Sequence, residues 1–158
     1  GELSMLGPAQ KRWLLSTIKK SRGTFKVLIS PVPWVFKAKG DSRDTWNGFK
    51  KERNEIFTFL TENKIEGVVL RSADRHRSDL WKIDRPGDYA LYEFNSSRLT
   101  NQHVHKTMEA AIFSYNAKQS FGTVDFDTTA ADPTATYRIH TIDGEQVFQH
   151  AVKRSELN

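Results

Sequence analysis

The sequence has 158 residues, of which 37% are hydrophobic and 27% are charged, a balance typical of a folded domain rather than a disordered chain. It contains no cysteine, which excludes disulfides and thiolate metal ligands within these residues, and no apolar run approaches the roughly 20 residues of a membrane span. The net charge of +5 favours anionic partners. The basic residues are nevertheless interleaved with acidic ones, and we find no nucleic-acid-specific motif.

The first half of the chain predicts a helix, a strand, a second helix and a second strand. Pro8 suits the first position of a helix, and apolar side chains at helical spacing continue to Ile18. Residues 25–30 predict the first strand, residues 49–63 an amphipathic helix, and residues 68–70 a buried strand. This order predicts two neighbouring parallel strands joined by a right-handed crossover.

Residues 31–48 predict a long loop that contains Trp34 and Trp46. Loops of this length without regular structure are usually functional or disordered, and the two tryptophans argue against disorder. Two roles stay open for these side chains: fastening the loop to the core, or contributing to a site.

The second half of the chain predicts mainly β structure. The strand candidates are residues 80–83, 89–94, 121–126, 135–142 and 145–152. Asp143-Gly144 predicts a tight hairpin between the last two of them, and we expect a loop with a short helix within 108–120. We therefore treat residues 1–158 as one domain or half-domain, with a helix-strand-helix-strand unit at 1–79 and a β-rich portion at 80–158.

A dense polar cluster follows the buried strand at the centre of the chain. Asp74 and His76 lie two residues apart on one short loop, and ligands gather at the carboxyl ends of strands in open α/β sheets. Carboxylate oxygens and imidazole nitrogens are usual ligands of Zn, Mn or Fe ions. Arg75 and Arg77 add positive charge suited to a phosphate. A solvated charged turn would have the same composition, so the residues alone leave both interpretations open.

Four other histidines follow this cluster. His103 and His105 have a spacing that puts both rings on one side of an extended segment, either at the mouth of a pocket or in an ordinary polar loop. His140 and His150 lie on opposite arms of the predicted hairpin, where we expect surface residues.

Two motifs, Asp44-x-Trp46-x-Gly48 and Ser72-x-Asp74-x-His76, occur in this order among the predicted strands. With them the chain resembles the C-terminal half of PhoD-like alkaline phosphatases (alkaline phosphatase D), a family of metallophosphoesterases. The resemblance implies an α/β fold, the C-terminal half of an α/β/β/α sandwich with a β-rich C-terminal hairpin. It also implies a hydrolase that cleaves phosphate mono- and diesters with two or more divalent or trivalent ions, such as Fe, Ca, Zn or Mn.

By this resemblance Asp74 and His76 are metal ligands, and Asp44 and Trp46 belong to a loop that borders the site. The candidate substrate-binding residues are therefore Asp44, Trp46, Arg75 and Arg77. The resemblance assigns no catalytic role to the loop that borders the site, and the catalytic residues stay unknown. The family pattern has Gly and Val where this sequence has Ala73 and Arg75, which leaves open whether Arg75 contacts substrate or is solvated.

The family's other metal ligands come from earlier strands that have no counterpart in these residues. We therefore expect the chain to supply part of a site and to pair with the N-terminal half of the same protein or with another copy. The alternatives are a catalytically incomplete protein-interaction domain, or a phosphate-binding module that uses Arg71, Arg75, Arg77 and Arg98. Members of the family are often exported, but these residues carry no sign of the compartment.

Overall fold

Residues 3–158, the part of the chain that a computed structural model describes, form two α-helices and nine strands. The helices are α1 (Gly7–Lys20) and α2 (Lys50–Glu62). The strands are β1 (Lys26–Ile29), β2 (Ala38–Asp41), β3 (Val68–Ser72), β4 (Ser78–Arg85), β5 (Asp88–Ser96), β6 (Phe113–Tyr115), β7 (Ser120–Asp127), β8 (Thr134–Thr141) and β9 (Gln146–Lys153). Short 3-10 turns occupy Trp46–Gly48 and Arg154–Glu156.

The larger sheet has five strands in the order β1-β3-β5-β4-β6. Strands β1, β3 and β5 are parallel, and β4 and β6 run antiparallel to them. The predicted parallel pairing of the first two strands is confirmed, with Leu28 beside Leu70. Because Ser72 lies beside Asn95, the carboxyl ends of β3 and β5 meet at the same edge of the sheet.

Strand β3 is buried on both faces, as its apolar run predicts. Val68 and Leu70 pack in one core cluster with α1 and α2, whereas Val69 belongs to a second cluster on the opposite face. This alternation follows from the two-residue period of a strand. The helices therefore cover one face of the sheet.

A three-stranded sheet, β7-β8-β9, covers the other face. Tyr137 of β8 lies over Gly122, where a Cβ atom would approach its ring to 2.5 Å, and its hydroxyl donates to the carbonyl oxygen of Asn95 at 2.7 Å. The predicted α/β class with two sheets and a terminal hairpin at Asp143-Gly144 is confirmed. Within residues 3–158 there are three layers, helices, sheet and sheet, rather than four.

Two local predictions are wrong. The expected short helix within 108–120 is replaced by strand β6, which pairs with β4. The loop predicted over 31–48 contains strand β2 and a short 3-10 turn.

Glu52 and Arg53 of α2 are charged but buried. The carboxylate of Glu52 accepts from the backbone N–H of Met5 at 2.6 Å, and the guanidinium of Arg53 stacks 3.8 Å from the ring centre of Phe36. The apolar spacing of the helix could not predict either contact, because both partners lie outside α2.

The two tryptophans fasten the 31–48 loop to the core. Trp34 and Trp46 are stacked with ring centres 4.5 Å apart and are 2% and 1% exposed. The indole N–H of Trp46 donates to the hydroxyl of Ser30 at 3.0 Å. Only glycine fits at position 48 of this loop, because a Cβ atom there would lie 2.0 Å from the carbonyl oxygen of Arg43.

Candidate metal centre

The loop that joins β3 to β4, residues 73–77, has an unusual backbone. Asp74 and His76 both adopt the left-handed conformation, with φ of 69° and 47°, which is uncommon outside glycine. The hydroxyl of Ser97, just beyond β5, accepts from the backbone N–H groups of Arg75 at 2.8 Å and His76 at 3.0 Å. One side chain from the neighbouring strand end therefore fixes the direction in which His76 leaves the loop.

A buried hydrogen-bond network connects the ends of β3 and β5 next to this loop. The side-chain amide of Asn95 donates to the hydroxyl of Ser72 at 2.8 Å. The fully buried carboxyl group of Glu93 accepts from that hydroxyl and from the backbone N–H groups of Trp34 and Val35, at 2.9 and 2.8 Å for the latter two. Burial raises the pKa of Glu93. These bonds tie β3, β5 and the 31–48 loop to one point.

His76, His103 and His105 form a cluster at this edge of the sheet. Each ring offers a nitrogen atom, and these nitrogens lie within 4.8 Å of one another. The ring of His76 is 5.8 Å from that of His103 and 5.2 Å from that of His105, measured between centres, and the rings are tilted rather than stacked face to face. The three side chains are a candidate metal site.

Backbone contacts orient the cluster. Nδ1 of His76 lies 3.1 Å from the carbonyl oxygen of His103, and its Nε2 lies 3.4 Å from the side-chain nitrogen of Asn101. The amide of Asn116 donates to the carbonyl oxygen of His105 at 2.9 Å. Burial, followed by the positive charge of Arg75, lowers the pKa of His105 to about 4. This ring is therefore neutral at pH 7.

Asp74 points to a different set of partners. Nζ of Lys39 lies 3.6 Å from its carboxylate and 2.6 Å from that of Asp44, so one lysine joins the two predicted site residues. The hydrogen bond from Lys39 lowers the pKa of Asp44. The Asp74 side chain is 39% exposed and lies outside the three-histidine cluster.

The two arginines of the central loop are buried. Nε of Arg75 and Nη2 of Arg77 both donate to the carbonyl oxygen of Ala38, at 3.2 and 3.1 Å. Arg77 also forms an ion pair with Asp79 at 2.8 Å, in which both side chains are at most 1% exposed. Arg98, a further member of the proposed arginine group, is 8% exposed. Arg75, Arg77 and Arg98 therefore form no exposed cationic surface in this chain.

Sequence reasoning did not identify several residues that surround the loop after β3. Nothing in the sequence indicated that Lys39 contacts Asp44 and Asp74, because lysines are common in polar loops. Glu93 could have been found, since it interrupts the apolar side of β5 two residues after Leu91. The metal roles of Asp74 and His76, and the substrate role of their neighbours, stay predictions.

Comparison with known proteins identifies the family. The model of the PhoD-like phosphatase family matches residues 2–146, which is most of the chain. The chain belongs to the PhoD-like phosphatase family. The resemblance inferred from the two motifs is therefore confirmed.

Two PhoD-like proteins are similar to this chain over part of their own length. Alkaline phosphatase D of Bacillus subtilis (strain 168) is 26% identical over 81 residues, which cover 48% of this chain and 14% of that protein. A solved structure described as "Structure of PhoD" superposes with a TM-score of 0.63 at 15% identity, covering 94% of this chain and 35% of that one. The chain thus spans about a third of the solved PhoD chain. Among residues 3–158, no helix has the length and apolar character needed to cross a membrane.

Proposed function

We propose that this chain is part of a metal-dependent phosphoester hydrolase of the alkaline phosphatase D type. The observation that carries the proposal is the family match over residues 2–146, which includes the Ser72-to-His76 loop at the carboxyl end of β3. Since the chain spans 35% of the solved PhoD chain, hydrolysis would belong to a protein that also contains further segments. The substrate would be a phosphate ester.

Asp74 and His76 are the proposed metal ligands of this chain. Asp74 offers a half-exposed carboxylate whose contact with Lys39 is long, at 3.6 Å, and His76 is directed by the two bonds to Ser97. Metal ions in such enzymes lower the pKa of a bound water and neutralise charge on phosphate oxygens. Iron, calcium, zinc and manganese are all candidates.

The four predicted substrate-binding residues divide into two groups. Asp44 is exposed beside Lys39, so it can act at the mouth of the site. Trp46, Arg75 and Arg77 are buried, and Arg75 donates to the carbonyl oxygen of Asp74 at 3.2 Å. We assign them a positioning role, in which they hold the loops that carry Lys39 and His76.

The test uses the whole protein that contains this chain, with p-nitrophenyl phosphate and its diester as substrates. Asp74→Asn and His76→Asn should each reduce kcat by about 100-fold, because each removes a ligand from the ions that activate water. Asn tolerates the left-handed backbone at both positions. Asp143→Asn, an exposed carboxylate in the hairpin, is the matched control and should leave kcat unchanged. Turnover retained by both site variants would reject the assignment.

A surface beside β1 supports the proposed partner. β1 is an edge strand, and Val27, Ile29 and nearby Trp13 are 36%, 76% and 61% exposed. They border a largely apolar cavity of about 440 Å³ that reaches Trp34 and Trp46. We propose that another segment of the same protein covers this surface, or a second copy where that segment is lacking.

The same surface favours a second candidate function, a catalytically incomplete interaction domain. Under that alternative the partner would cover β1, but Asp74→Asn and His76→Asn would leave hydrolysis by the whole protein unchanged. The two functions therefore give opposite kinetic results.

A further inference from the structure

We propose that His76, His103 and His105 bind one zinc-class transition-metal ion through three imidazole nitrogens. The inference rests on the proposed role of His76 as a metal ligand, and it names the partners and the class of ion. It concerns residues from two loops, 73–77 and 97–112, that the fold brings together at the end of β3 and β5.

The spacing of the three rings fits one ion after a small adjustment. Nitrogen ligands about 2.0–2.1 Å from a tetrahedral zinc ion lie roughly 3.4 Å from one another. The three nitrogens lie within 4.8 Å of one another without an ion. His103 and His105 occupy a segment without helix or strand, so rotation of their side chains can close this gap without disturbing the sheet.

The contact between His76 and the carbonyl oxygen of His103 leaves Nε2 as the nitrogen of His76 that can bind a metal ion. A carbonyl oxygen only accepts, so Nδ1 of His76 must carry the hydrogen in the 3.1 Å bond. In the neutral ring, Nε2 then keeps its lone pair. An Nδ1–H bond to a backbone carbonyl is the usual outer support of a metal-binding histidine. The side chain of Asn101, whose nitrogen lies 3.4 Å from Nε2, would move away when an ion binds there.

The surrounding charges do not exclude a cation. The guanidinium of Arg77 is neutralised by Asp79 at 2.8 Å, and Nη1 of Arg75 lies 3.9 Å from the carboxylate of Asp74. His103 is exposed, so a fourth position on the ion would be open to water or to an oxyanion. Three nitrogen donors favour zinc, cobalt, nickel or copper over calcium and magnesium, which prefer oxygen.

The experiment titrates the 158-residue chain with Co²⁺ and records the visible absorption of the bound ion, followed by competition with Zn²⁺. The variants are His76→Asn, His103→Gln and His105→Gln, and His140→Gln is the matched control on the distant three-stranded sheet. Circular dichroism of each variant checks folding. His103→Gln lies on an exposed side chain, so it keeps the test valid if His76→Asn or His105→Gln fails to fold.

One Co²⁺ ion per chain should bind with an absorption typical of nitrogen coordination, and Zn²⁺ but not Ca²⁺ or Mg²⁺ should displace it. Each site variant should weaken binding at least ten-fold, and His140→Gln should match the original chain. Absence of binding, or binding that His103→Gln leaves unchanged, overturns the site. Because no turnover is measured, failure here leaves the hydrolase proposal standing, and loss of hydrolysis in the Asp74→Asn protein leaves this site standing.

Discussion

Ser97 fixes the direction of His76, because its hydroxyl accepts the backbone N–H of His76 at 3.0 Å while that residue is held in a left-handed conformation. The same hydroxyl accepts from Arg75 at 2.8 Å. Two donors of a short, strained loop thus depend on one oxygen atom. This anchor holds the backbone of His76, and the 3.1 Å contact between Nδ1 of His76 and the carbonyl oxygen of His103 orients its ring.

Replacing Ser97 with alanine should loosen the loop without removing a proposed ligand. Loss of an acceptor for two partly buried N–H groups should lower the free energy of unfolding by about 1–2 kcal/mol. Affinity for Co²⁺ should fall several-fold as His76 loses its direction. Urea unfolding and Co²⁺ titration measure the two effects. Ser96→Ala, which loses a bond to Ser78 instead, is the control and should keep full Co²⁺ affinity.

The buried ion pair between Arg77 and Asp79 should be structural. Asp79→Ala leaves the charge of Arg77 buried and unpaired, which should lower the free energy of unfolding by about 3–5 kcal/mol. The double variant Arg77→Met with Asp79→Leu should be more stable than Asp79→Ala alone, because no charge remains buried. Urea unfolding compares the three proteins. A double variant that is the least stable of them would contradict this role.

Glu93 should make stability depend on pH. Burial raises its pKa in the folded chain, so folding favours the protonated carboxyl group, and this contribution is lost as pH rises above the ordinary value of the group. Glu93→Gln stays neutral throughout. Relative to the original chain, the variant should therefore gain stability between about pH 5 and about pH 8. Urea unfolding at both pH values checks the sign, and a relative loss of stability over that range contradicts it.

The apolar surface along β1 should drive association of the isolated chain. Ile29 is 76% exposed on this edge strand, so Ile29→Lys should shift the chain towards monomers in light scattering. Ile142→Lys changes a similarly exposed isoleucine, 66% exposed, in the distant hairpin, and should leave association unchanged. A chain that is monomeric before any substitution would contradict a need for a covering partner.

Local patterns were sufficient for most of the fold. The apolar run at Val68–Leu70 predicted a strand buried on both faces, and Asp143-Gly144 predicted the last hairpin, because each depends on neighbouring residues alone. The burial of Glu52 could not be predicted in this way. Its carboxylate is satisfied by Met5, 47 residues earlier, and no periodicity contains that pairing.

In the candidate site, too, contacts between distant parts of the chain could not be predicted from local patterns. Asp74 and His76 are two residues apart on one loop, and the sequence analysis named both as metal ligands. The left-handed backbone at both residues sends Asp74 to Lys39 and His76 to His103. Spacing along the chain cannot show this divergence, because it depends on the Ser97 hydroxyl and on a loop 27 residues away.

We propose that this chain belongs to an enzyme whose hydrolysis of phosphate esters requires metal ions. The most direct measurement is the hydrolysis of p-nitrophenyl phosphate by the whole protein before chelation, after removal of metal with a chelator, and after return of single ions. We expect activity to be lost on chelation and to be restored by at least one of iron, calcium, zinc or manganese. Hydrolysis that persists undiminished in the metal-free protein would contradict the proposed metal dependence.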